Sequence, residues 1–271
     1  MLAVQLPPSK GLQKSAIYIS TEAALPTSRL HQLLRLNPAL SELSETERPS
    51  LTQILSIQTP DLESQEHIIR YQLPVAIKRQ NIGLVVIDSI ASNYRAEFDH
   101  NSRNVTDNAT EQERRPEGKT MADRRSQLVR LGAFLRDLAR REGIAVVISN
   151  QVADRMSPIG WSQPTSTPGI TPDSLVLDHQ MRWFTGWGDQ RHDLSNMKTP
   201  SLGLVWTNQI SARIALIRAT RNEHQGKTQR WLRLVFASWS SPTTGAGIEY
   251  EITAAGVKAV TKSDDENTIL S

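Results

Sequence analysis

The sequence predicts an α/β protein with a mostly parallel sheet flanked by helices and interrupted by two long loop insertions. Three observations carry that prediction. In LVVIDS, Leu84 to Ser89, four bulky apolar residues end in a carboxylate. Such a run, bounded by turn formers, suits a strand covered on both faces, and Asp88 then emerges at the edge where parallel sheets hold ligands. Similar runs alternate with helical segments, which argues for right-handed parallel crossovers. Before the run IAVVIS, finally, Leu128, Leu131, Leu135 and Leu138 recur at helical spacing, so one face of that segment is core.

The elements follow in chain order. Strand AIYIS, Ala16 to Ser20, precedes a helix with Leu30, Leu33 and Leu34 on one side, and Pro26 sits where a first helical turn tolerates it. The run Ile54 to Ile57 leads through Pro60 and Asp61 into a helix carrying Leu62, Ile69, Leu73 and Ile77, which Pro74 is expected to kink. Strand Leu84 to Ile87, a helix from about Met121 to Glu142 and strand Ile144 to Ser149 complete the alternation. The polar stretch 97–120 and the Pro-, Ser- and Trp-containing stretch 153–200 interrupt it, and loops of that length are usually functional or disordered. Strand-like sequence returns in Ser211 to Ile217, Trp231 to Phe236 and Ile248 to Ile252. The expected organisation is one core, 1–262, and a polar, disordered tail, 263–271.

Composition narrows the function classes. A chain of 271 residues with 22% charged residues is expected to bury one sizeable core as a soluble intracellular protein. Without cysteine there is no disulfide framework and no cysteine-ligated zinc. The six histidines, His31, His67, His100, His179, His192 and His224, have no metal-ligand spacing. No apolar run reaches the length of a membrane span, and the start Met1 to Leu6 lacks the charged flank of a signal peptide, so no membrane partner is expected. The formal net charge is only +3, yet arginines cluster between Arg103 and Arg141. Arg125, Arg130, Arg136, Arg140 and Arg141 on the polar faces of the leucine helix read first as a solvated surface and second as a nucleic-acid surface.

A phosphate loop needs glycine at both ends, so that its amides wrap the phosphates, and a Lys-Ser/Thr pair for charge and magnesium. Neither Gly-Lys-Thr triplet qualifies: Gly118-Lys119-Thr120 has Glu113 in the leading position and Gly226-Lys227-Thr228 has Arg221. Glu22, just past a strand, reads as a carboxylate that orients an attacking water or as an ordinary surface residue or helix cap. Asp88 reads as a carboxylate that holds magnesium through water or as an N-cap. Ser89 lies beside it, and Asn150-Gln151 past a third strand reads as a ligand sensor or as loop hydrogen bonding.

Together YISTE (Tyr18 to Glu22), SRL (Ser28 to Leu30), LVVIDSIASNYRAEF (Leu84 to Phe98), LVRLGAFLRDLARREG (Leu128 to Gly143) and IAVVISNQV (Ile144 to Val152) resemble the RecA-type recombinase superfamily in its eukaryotic DNA-repair branch. LGLVWTNQISARIAL, Leu202 to Leu216, is similar to the recombination-mediator paralogues of the strand-exchange protein. The resemblance implies a RecA-like P-loop ATPase core using ATP and magnesium. In it Glu22 matches the glutamate that activates the hydrolytic water, and Asp88 with Ser89 matches the Walker B end that carries magnesium through water. Arg29 matches an adenine-packing arginine, and Gln151 the sensor of the terminal phosphate. The insertions stand at the family's two DNA-binding loops, which makes Arg95, Arg103, Arg155, Trp161, Arg182 and Trp183 candidates to stack bases and neutralise phosphates, or equally to pack within the loop or meet a partner protein.

The implied role is DNA repair by homologous recombination in the nucleus. It involves single-stranded or branched DNA, a heterodimeric partner paralogue and assembly of the recombinase filament. An alternative is a catalytically inactive scaffold of the same fold that binds a partner paralogue through the sheet edge Ile54 to Gln58; a third is a RecA-core motor or signalling ATPase outside recombination. The chain departs from the family pattern: the Gly-rich Walker A sequence expected ahead of AIYIS is not seen, Met1 to Leu6 resembling the far end of the helix that follows that loop, the small N-terminal domain and the oligomerisation linker are not seen, Ala23 replaces a glycine, and both loops are longer than in the filament-forming proteins. On that ground residues 1–271 are expected to bind ATP poorly, not to hydrolyse it, and to expose apolar surface beside Leu84 to Ile87.

Overall fold

A computed structural model describes residues 1–96, 117–154, 198–220, 228–245 and 247–260. Strands β1 (Ser15–Ser20), β2 (Ile54–Gln58), β3 (Ile82–Asp88) and β4 (Ala145–Ile148) form a wholly parallel sheet in the order β2-β1-β3-β4. The two central strands are the most apolar, because a strand with neighbours on both sides and helices over both faces has no polar surroundings to satisfy. Ile17, Ile19, Val85 and Ile87 are accordingly fully buried. The register pairs Ile17 with Leu55 and Val85, and Val85 with Val146, and it brings Ser20 opposite Asp88.

Helices cover this sheet. After β1 come α1 (Thr27–Leu36) and the short α2 (Pro38–Ser41), which close a small core of Leu2, Leu6, Leu30, Leu40 and Ile54. After β2, Asp61 caps α3 (Leu62–His67) by accepting from the Ser64 amide at 2.7 Å and the Ser64 hydroxyl at 3.0 Å. A π-helical turn, Ile68–Gln72, separates α3 from α4 (Leu73–Arg79). The expected kink therefore takes the form of a widened turn just ahead of Pro74, whose ring cannot donate and crowds the carbonyl one turn back. Residues 91–96 form α5 after β3, and α6 (Glu117–Glu142) returns to β4.

The leucine stripe of α6 performs as its spacing predicts: Leu128, Leu131, Leu135 and Leu138 join the main core with Ile69, Leu73 and Ile77. Helix α6 starts at Glu117, so residues 117–120 belong to a helix where the sequence suggested loop. The larger insertion is narrower than 153–200 as well. Its ends pair as a two-stranded antiparallel ribbon, β5 (Val152–Asp154) and β6 (Lys198–Pro200), with Val152 opposite Pro200 and Asp154 opposite Lys198. The helix α7 (Gly203–Thr207) follows, and Gln209 beyond it lies so near Gly132 of α6 that a Cβ there would meet the Gln209 Cβ at 2.5 Å. Glycine is needed at 132 for that approach.

The late strands do not extend the parallel sheet. β7 (Ala212–Thr220), β8 (Thr228–Ala237), β9 (Ile248–Thr253) and β10 (Gly256–Ala259) form a separate antiparallel meander ordered β10-β9-β8-β7. It is tied to α1 by the Arg29 guanidinium, which donates to Thr253 O at 2.6 Å and Ala254 O at 3.2 Å, and to the α1 C-terminus by the Asn37 amide, which donates to Ala255 O at 2.8 Å. Cross-strand pairing sets Ile214, Leu216, Ile248, Ile252 and Val257 on one face, and each is more than half exposed. Beside β3, Ala145 and Val147 of β4 are exposed, and the wider apolar surface lies on the second sheet.

These two settings predict opposite responses. Leu131→Ala, in the core, is expected to lower unfolding free energy by about 2–5 kcal/mol, whereas Leu216→Thr, 69% exposed, is expected to change it by about 0.5 kcal/mol or less; urea unfolding of both variants checks this.

Candidate functional site

The C-terminal edge of the parallel sheet carries the polar groups. Asp88 ends β3 and keeps solvent access, while neighbouring strands clamp its carboxylate from both sides. Tyr18 on β1 donates its hydroxyl to Oδ2 at 2.7 Å, and the Ser149 hydroxyl just past β4 donates to Oδ1. Tyr18 lies opposite Val86, so its side chain shares a sheet face with Asp88 two residues further on. Burial, and then the adjacent Asp88 carboxylate, push the phenol pKa up to about 12, and Tyr18 stays a donor at neutral pH.

Backbone bonds lock the strand ends together. The Thr21 amide donates to Asp88 O at 2.9 Å, the Ser149 amide to Ile87 O at 2.9 Å and the Ile90 amide to Ser149 O at 3.1 Å. The Thr21 hydroxyl donates to Ser89 O at 2.8 Å and accepts from the Ser89 amide at 3.1 Å. The Asp88–Ser89 peptide is cis. Ser89 itself is buried, and its hydroxyl has no hydrogen-bond partner among the described residues, so the structure does not present it to solvent as a ligand group.

A second cluster centres on Gln151. Its Nε2 donates to Glu22 Oε1, and its Oε1 accepts from Arg95 Nη2. Its carbonyl accepts from the Ser201 amide at 3.0 Å and the Ser201 hydroxyl at 2.9 Å, across the mouth of the β5–β6 ribbon. Glu22, Gln151 and Arg95, named separately from the sequence, thus form one chain of contacts. The Asn150 amide beside it is buried with both polar atoms unpartnered among the described residues.

Arg29 is placed elsewhere, with its guanidinium engaged by the β9–β10 turn and by Gln32. Arg103, Arg155, Trp161, Arg182 and Trp183 lie outside the described residues. The sequence reading missed Tyr18, Ser149 and Thr21 as partners of the Asp88 end. Strand parity in YISTE was the available signal, but it points at Asp88 only once the β1–β3 register is known.

The donor set fits a hydrated divalent cation. Asp88 accepts one protein hydrogen bond on each oxygen and so retains lone pairs for metal-bound water, and hard oxygen donors suit magnesium. Gly118-Lys119-Thr120 lies in the first turn of α6. Among the described residues no group of three or more acidic or histidine side chains forms a denser metal site, and no helix is long and apolar enough to cross a membrane. A separate groove lined by Glu66, His67, Arg70, Tyr71, Gln127 and Arg130 shares no residue with the strand-end site.

Residues 1–169 match the model of the Rad51 family. The chain is 42% identical over 241 residues to the DNA repair protein rhp57 of Schizosaccharomyces pombe, an alignment covering 87% of this chain and 62% of that protein. It is 33% identical over 189 residues to the DNA repair protein RAD57 of Saccharomyces cerevisiae, covering 69% and 36%, and 29% identical over 266 residues to the DNA repair protein XRCC3 of Bos taurus, covering 96% and 63%. The chain thus spans less than two-thirds of the length of each of these relatives. The crystal structure of the RadB recombinase superposes with a TM-score of 0.51 at 17% identity, covering 92% of this chain and 80% of that one, which shows the shared fold.

Tyr18→Phe removes the donor to Asp88 and is expected to destabilise the chain by about 1–2 kcal/mol, read by urea unfolding at pH 7. The sign of its pH dependence follows from the shift. A phenol pKa of about 12 in the folded chain against 10.0 unfolded gives a contribution fully present below pH 10 and lost as pH rises towards 12. The stability gap between wild type and variant is therefore expected to close over that window and to stay constant from pH 6 to 9.

Proposed function

The chain belongs to the Rad51 family, and from that premise we propose that it acts in DNA repair by homologous recombination as an ATP-dependent, DNA-binding mediator that assists recombinase filament assembly at double-strand breaks or branched DNA in the nucleus. The observation that supports this reading best is the convergence of Glu22, Asp88 and Gln151, from three separate strand ends, on one edge of the parallel sheet.

When bound, ATP with magnesium supplies an electrophilic terminal phosphorus and a cation that draws charge from the phosphate oxygens. Asp88, held by Tyr18 and Ser149, would hold that cation through water. Glu22 orients an attacking water and accepts its proton at a carboxylate oxygen. Gln151 sits between that carboxylate and the β5–β6 ribbon, so its side chain is placed to relate the state of the strand-end site to the insertion the ribbon carries. Arg95 and, within the two insertions, Arg103, Arg155, Trp161, Arg182 and Trp183 would supply the cations and stacking faces for single-stranded or branched DNA.

A specific observation favours a second reading, a scaffold that binds a partner paralogue. β2 is the outer strand of the sheet, pairs with β1 alone among the described residues, and leaves Ser56 and Gln58 exposed, so a partner segment can add there as a further strand.

Variants of the full-length protein separate the two. Glu22→Gln and Asp88→Asn are each expected to lower DNA-stimulated phosphate release by about 100-fold or more and to sensitise cells to double-strand breaks. Ser56→Glu with Gln58→Glu is expected to leave phosphate release intact. Full survival of cells carrying Glu22→Gln and Asp88→Asn, together with loss of paralogue co-purification in the β2 variant, would establish the scaffold and sink the ATP-dependent reading.

A further inference from the structure

The geometry points to Arg95 as a positioning residue that fixes the Gln151 side-chain amide against Glu22, rather than as a DNA contact alone. The argument begins with donor chemistry. Guanidinium is a donor only, an ionised carboxylate is an acceptor only, and a glutamine amide has one acceptor end and one donor end. Gln151 stands between one of each, with Oε1 towards Arg95 and Nε2 towards Glu22. The flipped amide would set its oxygen against the carboxylate and its NH2 against the guanidinium, so only one orientation satisfies both neighbours.

Glu22 cannot impose that order unaided. All three side chains are at the surface, and a single exposed hydrogen bond barely outweighs the entropy of fixing the three rotatable bonds of glutamine. The bond from Arg95 holds the opposite end of the amide and turns a swinging side chain into one with a fixed end. The main chain of Gln151 is already held by Ser201, so the position of its amide relative to Glu22 is what remains to be set, and Arg95 sets it. Arg95 stands near the end of α5, the last described segment before residue 97, while Ser201 closes the β5–β6 ribbon. One amide thus ties the entries of both insertions to the carboxylate at the end of β1.

The significance of this arrangement for hydrolysis rests on the function proposed above, but the arrangement itself is tested without nucleotide. The Gln151 side-chain NH2 resonance of 15N-glutamine-labelled chain 1–271 is assigned by its loss in Gln151→Leu and followed in Arg95→Met, Arg95→Lys and Glu22→Gln, with backbone amide dispersion reporting folding. Arg95→Met is expected to move the resonance to the position of a solvent-exposed glutamine, as Glu22→Gln does, while Arg95→Lys, still a donor only, retains the wild-type position. If Arg95→Met weakens binding of an oligothymidylate probe yet leaves the resonance at the wild-type position, Arg95 is a DNA contact only and the positioning role is wrong. Failure of the ATP-dependent reading would show in phosphate release and leave this spectrum unaltered.

Discussion

In the β1–β3 ladder Ser20 faces Asp88, and the placement of the strand-end polar groups follows from that pairing. Both strands are apolar on both faces, so their register is held by packing above and below the sheet rather than by an amphipathic pattern. A slip of one residue would turn Tyr18 away from the face that Asp88 occupies and break its hydrogen bond. The parallel direction matters equally. It sends β1, β3 and β4 out of the sheet at the same edge, where Glu22, Asp88 and Gln151 can meet although the sequence separates them by more than a hundred residues from first to last.

The site contains two linked kinds of order. The Asp88 end is closely held: two side-chain donors, the backbone bonds from the Thr21 amide to Asp88 O and from the Ser149 amide to Ile87 O, and a buried Ser89 leave the carboxylate little freedom. The Gln151 side chain is held at the surface by one neighbour at each end of its amide, Arg95 and Glu22. The ribbon β5–β6 gives the larger insertion a narrow base, anchored through Ser201 at the main-chain carbonyl of Gln151.

The second sheet follows a different logic. β7 and β8 pair along their length while β8 and β9 share only the Trp231–Glu249 and Leu232–Ile248 pairs, and Arg29 and Asn37 fasten the β9–β10 turn to α1 and the residue after it. The apolar face formed by Ile214, Leu216, Ile248, Ile252 and Val257 stays open to solvent, in contrast to the parallel sheet, whose central strands are covered. The engagement of Arg29 by backbone carbonyls also shows how a planar cation can serve a structural contact: its several donors meet two carbonyl oxygens on successive residues.

Much of the fold was legible in the residues because the signals were local. The apolar runs in LVVIDS and AIYIS and the spacing of Leu128 to Leu138 each depend on near neighbours, and the corresponding strands and helix face form where they were expected. Asp88 and Glu22 were also visible, since a carboxylate just past an apolar run stands at a strand end whatever surrounds it. The sequence could not show that Tyr18 and Ser149 clamp Asp88, that Arg95 meets Gln151, that Ser89 is buried, or that the late strands make their own sheet. Each of these depends on strand order, register and which strands pair across long separations. What the sequence determined by itself was the set of elements and the groups at their ends; what only the tertiary structure decided was which ends share an edge, because contacts between distant residues are fixed by the packing of the whole sheet.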